Sequence, residues 1–250
     1  ISEIGLMQPL NNIRIVLMNT SHPGNIGSAA RAMKTMGLTE LVLVNPVDYP
    51  HEQAETMAAG AVNMLERVTV VGSLLEAVSD CSVVAACSAR SRGYELPTLD
   101  SRECGLRLLE VAQEGPVALV FGPERHGLSN ADLQYATHRV SIDANPDYSS
   151  LNLAAAVQIL CHEVRQAGLV KAEPQRQVQR IMPSAASLNH YFDRLQAVYC
   201  STGFVNQAHP GELQKKLRHL YARAEIDQQE LNMLQGMLSS VERILADPED

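Results

Sequence analysis

Short apolar runs rich in β-branched residues alternate with helical stretches through the first two thirds of this 250-residue chain. Ile13 to Met18, Leu41 to Val44, Val68 to Val71, Val83 to Cys87, Val117 to Phe121 and Val140 to Ile142 are each short enough for a buried strand. Between them, helices are expected from Asn25 to Met36, Gln53 to Ala59, Ser73 to Val78 and Arg102 to Ala112. Gly37 is placed to cap the first of these, and Ser73 to start the third. A long helix from Leu151 to Gln166, apolar on nearly every side, closes the series. Strands alternating with helices mean an α/β domain with a mostly parallel sheet. Ligands of such sheets bind beyond the carboxyl ends of the strands.

The alternation stops near residue 168. Residues 169–184 carry Pro174, Pro183 and a run of polar side chains, and read as a linker. Residues 185–250 hold amphipathic helical segments with leucine stripes at Leu213, Leu217, Leu220 and at Leu231, Leu234, Leu238. They form a helical extension too small to bury much core alone. Residues 1–6 precede Met7, which reads as a natural start, so they are expected to be a remnant outside the domain of residues 1–168.

Hydrophobic residues make up 46% of the chain, ample for a core, yet no apolar run approaches the roughly 18 residues of a membrane span. Five cysteines occur without a Cys-x-x-Cys pair, which argues against a zinc cage and a disulfide framework and for a reducing cytoplasm. A net charge of −8 counts against nucleic acid as a default partner. Local cationic clusters stand against that balance: Arg90 and Arg92, and Lys215, Lys216, Arg218 and Arg223 beside a single Glu212. Each cluster by itself is better explained by a solvated helix face or loop.

Three stretches lie where a strand gives way to a loop or helix. In Asn25-Ile26-Gly27-Ser28-Ala29-Ala30-Arg31, a tight turn enters a helix whose free N–H groups favour an anion. Gly27 permits close approach, and Arg31, four residues on, shares its face. The chain lacks Gly-x-Gly-x-x-Gly and Gly-Lys-Ser/Thr, so dinucleotide and Walker loops are excluded there. In Phe121-Gly122-Pro123-Glu124-Arg125-His126-Gly127-Leu128, Gly122 lets backbone come close to a ligand, Glu124 can order the loop by accepting N–H bonds, and Gly127 supplies a turn. In Ser149-Ser150-Leu151-Asn152-Leu153-Ala154, either serine suits a helix N-cap, and Asn152, one turn in, needs a polar partner.

In this order the three stretches resemble the motifs of the SpoU branch of the knotted SPOUT methyltransferases. Asn12 to Leu17, Thr20 to Asn25, Ser88 to Arg92, Asp100 to Cys104 and Asn145 to Ser150 extend the resemblance toward the bacterial members that methylate nucleotide 32 of the tRNA anticodon loop. The resemblance covers most of the first 168 residues and continues loosely beyond. It implies a deep trefoil knot, with the segment after Phe121 threading a loop, where pattern alone gives an unknotted sheet. It implies transfer of a methyl group from S-adenosylmethionine to a ribose 2′-hydroxyl of tRNA, in a cytoplasmic homodimer that needs no metal. The implied catalytic residues are Arg31, Asn25, Glu124, Ser150 and Asn152. Cys87, Ser88, Ala89, Gly122, Ile142, Ser149, Ser150 and Leu151 would hold the cofactor. Arg90, Arg92, Lys215, Lys216, Arg218 and Arg223 would face RNA. Pro123 departs from the family, which often has a basic residue there. A ribosomal-RNA ribose methyltransferase and a non-catalytic RNA-binding module are the alternatives.

Overall fold

The computed structural model describes residues 9–88, 96–169, 180–205 and 211–246. Its first part is a seven-stranded parallel sheet: β1 Ile13–Met18, β2 Glu40–Val44, β3 Thr69–Val71, β4 Val83–Cys87, β5 Thr98–Asp100, β6 Val117–Phe121 and β7 His138–Ser141. They lie in the order β3-β2-β1-β6-β4-β7-β5, and every described pairing is parallel. The central strands are covered on both faces, as parallel sheets require. Side-chain alternation divides β1 between them: Ile13, Ile15 and Leu17 join one core, and Val16 and Met18 the other.

Helices α1 Pro23–Met36, α2 Glu52–Ala58, α3 Val62–Leu65, α4 Leu74–Val78, α5 Ser101–Val111, α6 Asn130–Leu133 and α7 Leu153–Leu169 complete this part. Gly37 caps α1 at φ 85°, as its position predicts. Ser73 caps α4 by accepting the Glu76 N–H at 3.2 Å. β7 starts two residues before the expected strand, because His138 and Arg139 disguise its polar beginning. Gly27 has a different use from the one its motif suggests. A Cβ there would lie 1.9 Å from the Ala54 carbonyl oxygen. The bare glycine lets α1 press on the backbone of α2, so the close approach is between helices.

Two expectations about α7 change. The helix begins at Leu153, so neither Ser149 nor Ser150 caps it, and Asn152 is not one turn inside. Asn152 Oδ1 accepts the N–H groups of Ala154 at 2.9 Å and Ala155 at 3.4 Å, which makes Asn152 the cap. The apolar character of α7 is also partly spent within the chain: Leu153, Val157, Leu160, Cys161 and Val164 are buried in the core they share with α1 and α5.

Strand β7 lies between β4 and β5, which the chain has already joined through residues 88–97. The insertion sets the loop after β6 and the loop after β7 side by side at the carboxyl ends of the central strands.

Helices α8 Ala185–Ser201, α9 Gly211–Ala224 and α10 Gln228–Ala246 share a small core of Tyr191, Phe192, Leu195, Val198, Leu231 and Leu238. They also dock on the sheet part. The N–H groups of Ala185 and Ala186 donate to the carbonyls of Cys81 and Ser79, at 2.9 and 3.1 Å. His138 Nε2 lies 3.3 Å from Glu225 Oε1, and Arg107 lies 3.6 Å from the same oxygen.

Candidate active site

The loop after β6 folds back on itself. Gly127 N–H donates to the Pro123 carbonyl at 2.9 Å, with Gly127 at φ 64°. A Cβ on Gly122 would lie 2.3 Å from the Leu128 nitrogen, so the tight return needs a glycine. This places Glu124 beside the start of α1. Its Oε1 accepts from Asn25 Nδ2 at 2.7 Å, and its Oε2 accepts from the Ser21 hydroxyl at 2.9 Å and the Ser21 N–H at 3.3 Å. Asn152 Nδ2 in turn donates to Asn25 Oδ1 at 3.1 Å.

Each amide is oriented by its neighbours. A carboxylate only accepts, so Asn25 must turn its NH2 to Glu124 and its oxygen away. Asn152 gives its oxygen to the helix N–H groups and its NH2 to Asn25. The relay therefore has one polarity, from the carboxylate to the N-terminus of α7, and it ties all three sequence motifs together. Burial pushes the Glu124 carboxyl upward, but the bonds from Asn25 and Ser21 outweigh it and hold it below the usual carboxylate range.

Beside the relay is a cavity of about 230 Å³ lined by residues from the ends of β4 and β6, the loops after β4, β6 and β7, and α7. Of the residues expected to hold the cofactor, Cys87, Ser88, Gly122, Ile142, Ser149, Ser150 and Leu151 all line it. Ala89, Arg90 and Arg92 fall outside the described residues. Phe121, Leu153 and Ala156 add apolar wall, and Arg125 and His126 add polar groups that sequence reasoning left unassigned although they lie inside the second motif. Burial pushes the Cys87 thiol up to about 12, so it is a neutral wall group near pH 7. A slot of mixed apolar and polar lining at strand ends suits a nucleoside-type ligand such as S-adenosylmethionine.

Arg31 is not part of this wall. It is exposed on α1, six residues beyond Asn25, and its guanidinium makes no hydrogen bond or ion pair among the described residues. The cations of α9 are divided. Lys215, Lys216 and Arg223 are exposed, whereas Arg218 donates to Asn189 Oδ1 at 2.7 Å and lies 4.6 Å over the Phe192 ring. Arg218 thus helps to hold the extension together.

Residues 12–162 match the model of the SpoU rRNA Methylase family, and residues 186–250 match that of the tRNA methyltransferase TrmJ C-terminal domain. The chain belongs to the SpoU methylase family. Among its relatives, the tRNA (cytidine/uridine-2′-O-)-methyltransferase TrmJ of Yersinia pestis (strain Pestoides F) is 50% identical over 238 residues, covering 94% of this chain and 93% of that protein. The crystal structure of TrmJ from Z. mobilis ZM4 superposes with a TM-score of 0.78 at 31% identity, over 92% of this chain and 98% of that one. A probable methylase family protein from Haemophilus influenzae Rd KW20 is 47% identical, with a TM-score of 0.63 over 95% and 98% of the two chains. The SpoU family match spans all three motifs joined by the Glu124–Asn25–Asn152 relay. Among the described residues no helix is long and apolar enough to cross a membrane, and no cluster of His, Cys, Asp and Glu is placed to hold a metal.

Proposed function

We propose that this chain transfers the methyl group of S-adenosylmethionine to the ribose 2′-hydroxyl of a cytidine or uridine in tRNA, at nucleotide 32 of the anticodon loop. One observation carries the proposal. The relay that unites three distant motifs borders a cavity lined by the residues expected to hold the cofactor. The naming of the half-identical relatives as tRNA cytidine/uridine 2′-O-methyltransferases supports the substrate.

When bound, the cofactor supplies an electrophilic methyl group on a sulfonium. The task left to the protein is to hold the 2′-oxygen in line with it and let the hydroxyl proton leave. Orientation of this kind supplies up to about 7–11 kcal/mol. The relay fixes the walls: Glu124 and Asn25 lock the motif-two loop to α1, and Asn152 locks α1 to α7, leaving Ser150 at the cavity. Arg31 is assigned to the ribose oxyanion and the adjacent phosphate. A guanidinium is a planar donor fork with no acceptor atom, so Arg31 organises deprotonation electrostatically rather than acting as the base.

Arg31 does not line the cavity of its own chain, and the protein is a homodimer through α1 and α7 in this scheme, which gives Arg31 a route to the cavity of a second copy. Residues 1–168 are the knotted methyltransferase domain, 169–184 the linker and 185–250 the extension that presents Lys215, Lys216 and Arg223 to tRNA in the cytoplasm. Ribose-methylation mapping of tRNA from a strain lacking the protein tests the assignment: methylation at nucleotide 32 disappears and returns with the restored gene. Loss confined to ribosomal RNA contradicts it.

A further inference from the structure

Among the described residues, the most exposed aromatic ring of the sheet part stands beside the cavity. Tyr148 is 78% exposed, and Ser149 and Ser150, the next two residues, line the cavity wall. Among the described residues the only other aromatic ring so open to solvent is Phe204, in the helical extension. A ring held open to water offers its whole face for stacking. The segment that carries it is also ordered by its own bonds. The Tyr148 N–H donates to the Asn145 carbonyl at 2.9 Å, and the Asp147 N–H donates to Asn145 Oδ1 at 3.0 Å. The ring is thus held on a formed turn.

The chemistry of the reaction says what should arrive there. The base of a nucleotide hangs from the ribose carbon adjacent to the one whose oxygen is methylated. If the 2′-oxygen enters the cavity, the base must rest on the rim. A base paired or stacked within the RNA could not follow its ribose in, so the nucleotide is turned out of the loop and needs a new stacking surface. A stacking surface does not read the hydrogen-bonding edge of a base. That fits relatives named for both cytidine and uridine.

We propose that the Tyr148 ring stacks on the nucleobase of the methylated nucleotide, making Tyr148 a substrate-positioning residue that accepts either pyrimidine. The proposal rests on the 2′-O-methyltransferase reading above. It is tested by kinetics with two tRNA substrates, one natural and one lacking the base at the target nucleotide, for the wild type, Tyr148→Ala and Tyr148→Phe.

On natural tRNA, Tyr148→Ala lowers kcat/KM by roughly 5- to 150-fold, the range that base–aromatic stacking commonly supplies. Tyr148→Phe stays within about twofold, since the face of the ring is kept. On the abasic tRNA the wild type falls to the level of Tyr148→Ala, and the alanine variant loses nothing further. S-Adenosylhomocysteine affinity, read by calorimetry, and the oligomeric state are unchanged in both variants. An equal loss for Tyr148→Ala on both tRNAs overturns the proposal, because the ring would then serve the cofactor, the dimer or the fold. No loss on natural tRNA overturns it too. A wild type that methylates no tRNA overturns the functional reading as well, and that control is read first.

Discussion

Asn25 and Asn152 meet through a 3.1 Å hydrogen bond across 127 residues of sequence, and each uses its other amide atom to bind a different element. Asn25 reaches Glu124 at 2.7 Å, and Asn152 caps α7. Cutting the middle of this relay should therefore cost more than one contact. Asn25→Ala leaves the partly buried Glu124 carboxylate short of a partner, a loss of about 1–3 kcal/mol, and frees the exposed Asn152 amide from α1. The expected outcome is a lower denaturation midpoint together with weaker S-adenosylhomocysteine binding by calorimetry. Unchanged values for both would separate the relay from the cavity.

The residue types of the relay were legible in the sequence, but their connections were not. Asn152 stood out as a polar group in need of a partner on an apolar helix, Glu124 as an acceptor that could order its loop, and Asn25 as part of a tight turn into a helix. That they bond to one another depends on β7 inserting between β4 and β5, which no local pattern reports. The strand cores from Val83 to Cys87 and Val117 to Phe121 coincide with the observed strands, because β-branched runs buried on both faces leave little choice. The start of α7 was misplaced because Ser149, Ser150 and Asn152 are all good caps, and only the loop path selects among them. Gly27 looked like a ligand-approach position, and its real neighbour, Ala54, lies in a helix that packs on it only in three dimensions. The contact between His138 and Glu225 had no signal in the sequence at all, since it joins the sheet to the extension across 87 residues.

That contact gives the protein a pH response. Burial holds the His138 imidazole below its usual value, with Glu225 pulling the other way and Arg107 adding to the depression. Folding therefore favours the neutral ring, and the unfolded chain binds the proton more readily. The stabilisation is fully present above the ordinary histidine pKa of ~6.5 and is lost as pH falls through that value toward the folded one. Thermal unfolding should shift to lower temperature between pH 7.5 and pH 5.5. In His138→Gln that slope should flatten, whatever the variant's absolute Tm. Parallel curves for the two proteins would assign the slope to other groups.

Arg31→Ala should abolish turnover while leaving cofactor affinity within a few-fold, because Arg31 is assigned to ribose and phosphate and does not touch the cavity wall of its own chain. Arg31→Lys should fail substantially as well, since an ammonium lacks the planar fork that grips an oxyanion. Single-turnover kinetics and calorimetry with S-adenosylhomocysteine separate the two effects. Near-normal turnover in the alanine variant would remove Arg31 from the mechanism.

The most direct measurement incubates the purified protein with isotopically labelled S-adenosylmethionine and unmodified tRNA, then identifies the labelled nucleoside and its position by mass spectrometry. The expected result is a single label on the ribose 2′-oxygen of cytidine or uridine at nucleotide 32, absent when Asn25→Ala or Arg31→Ala replaces the wild type. Label on a base nitrogen, label elsewhere in the tRNA, or label only in ribosomal RNA would contradict the assignment.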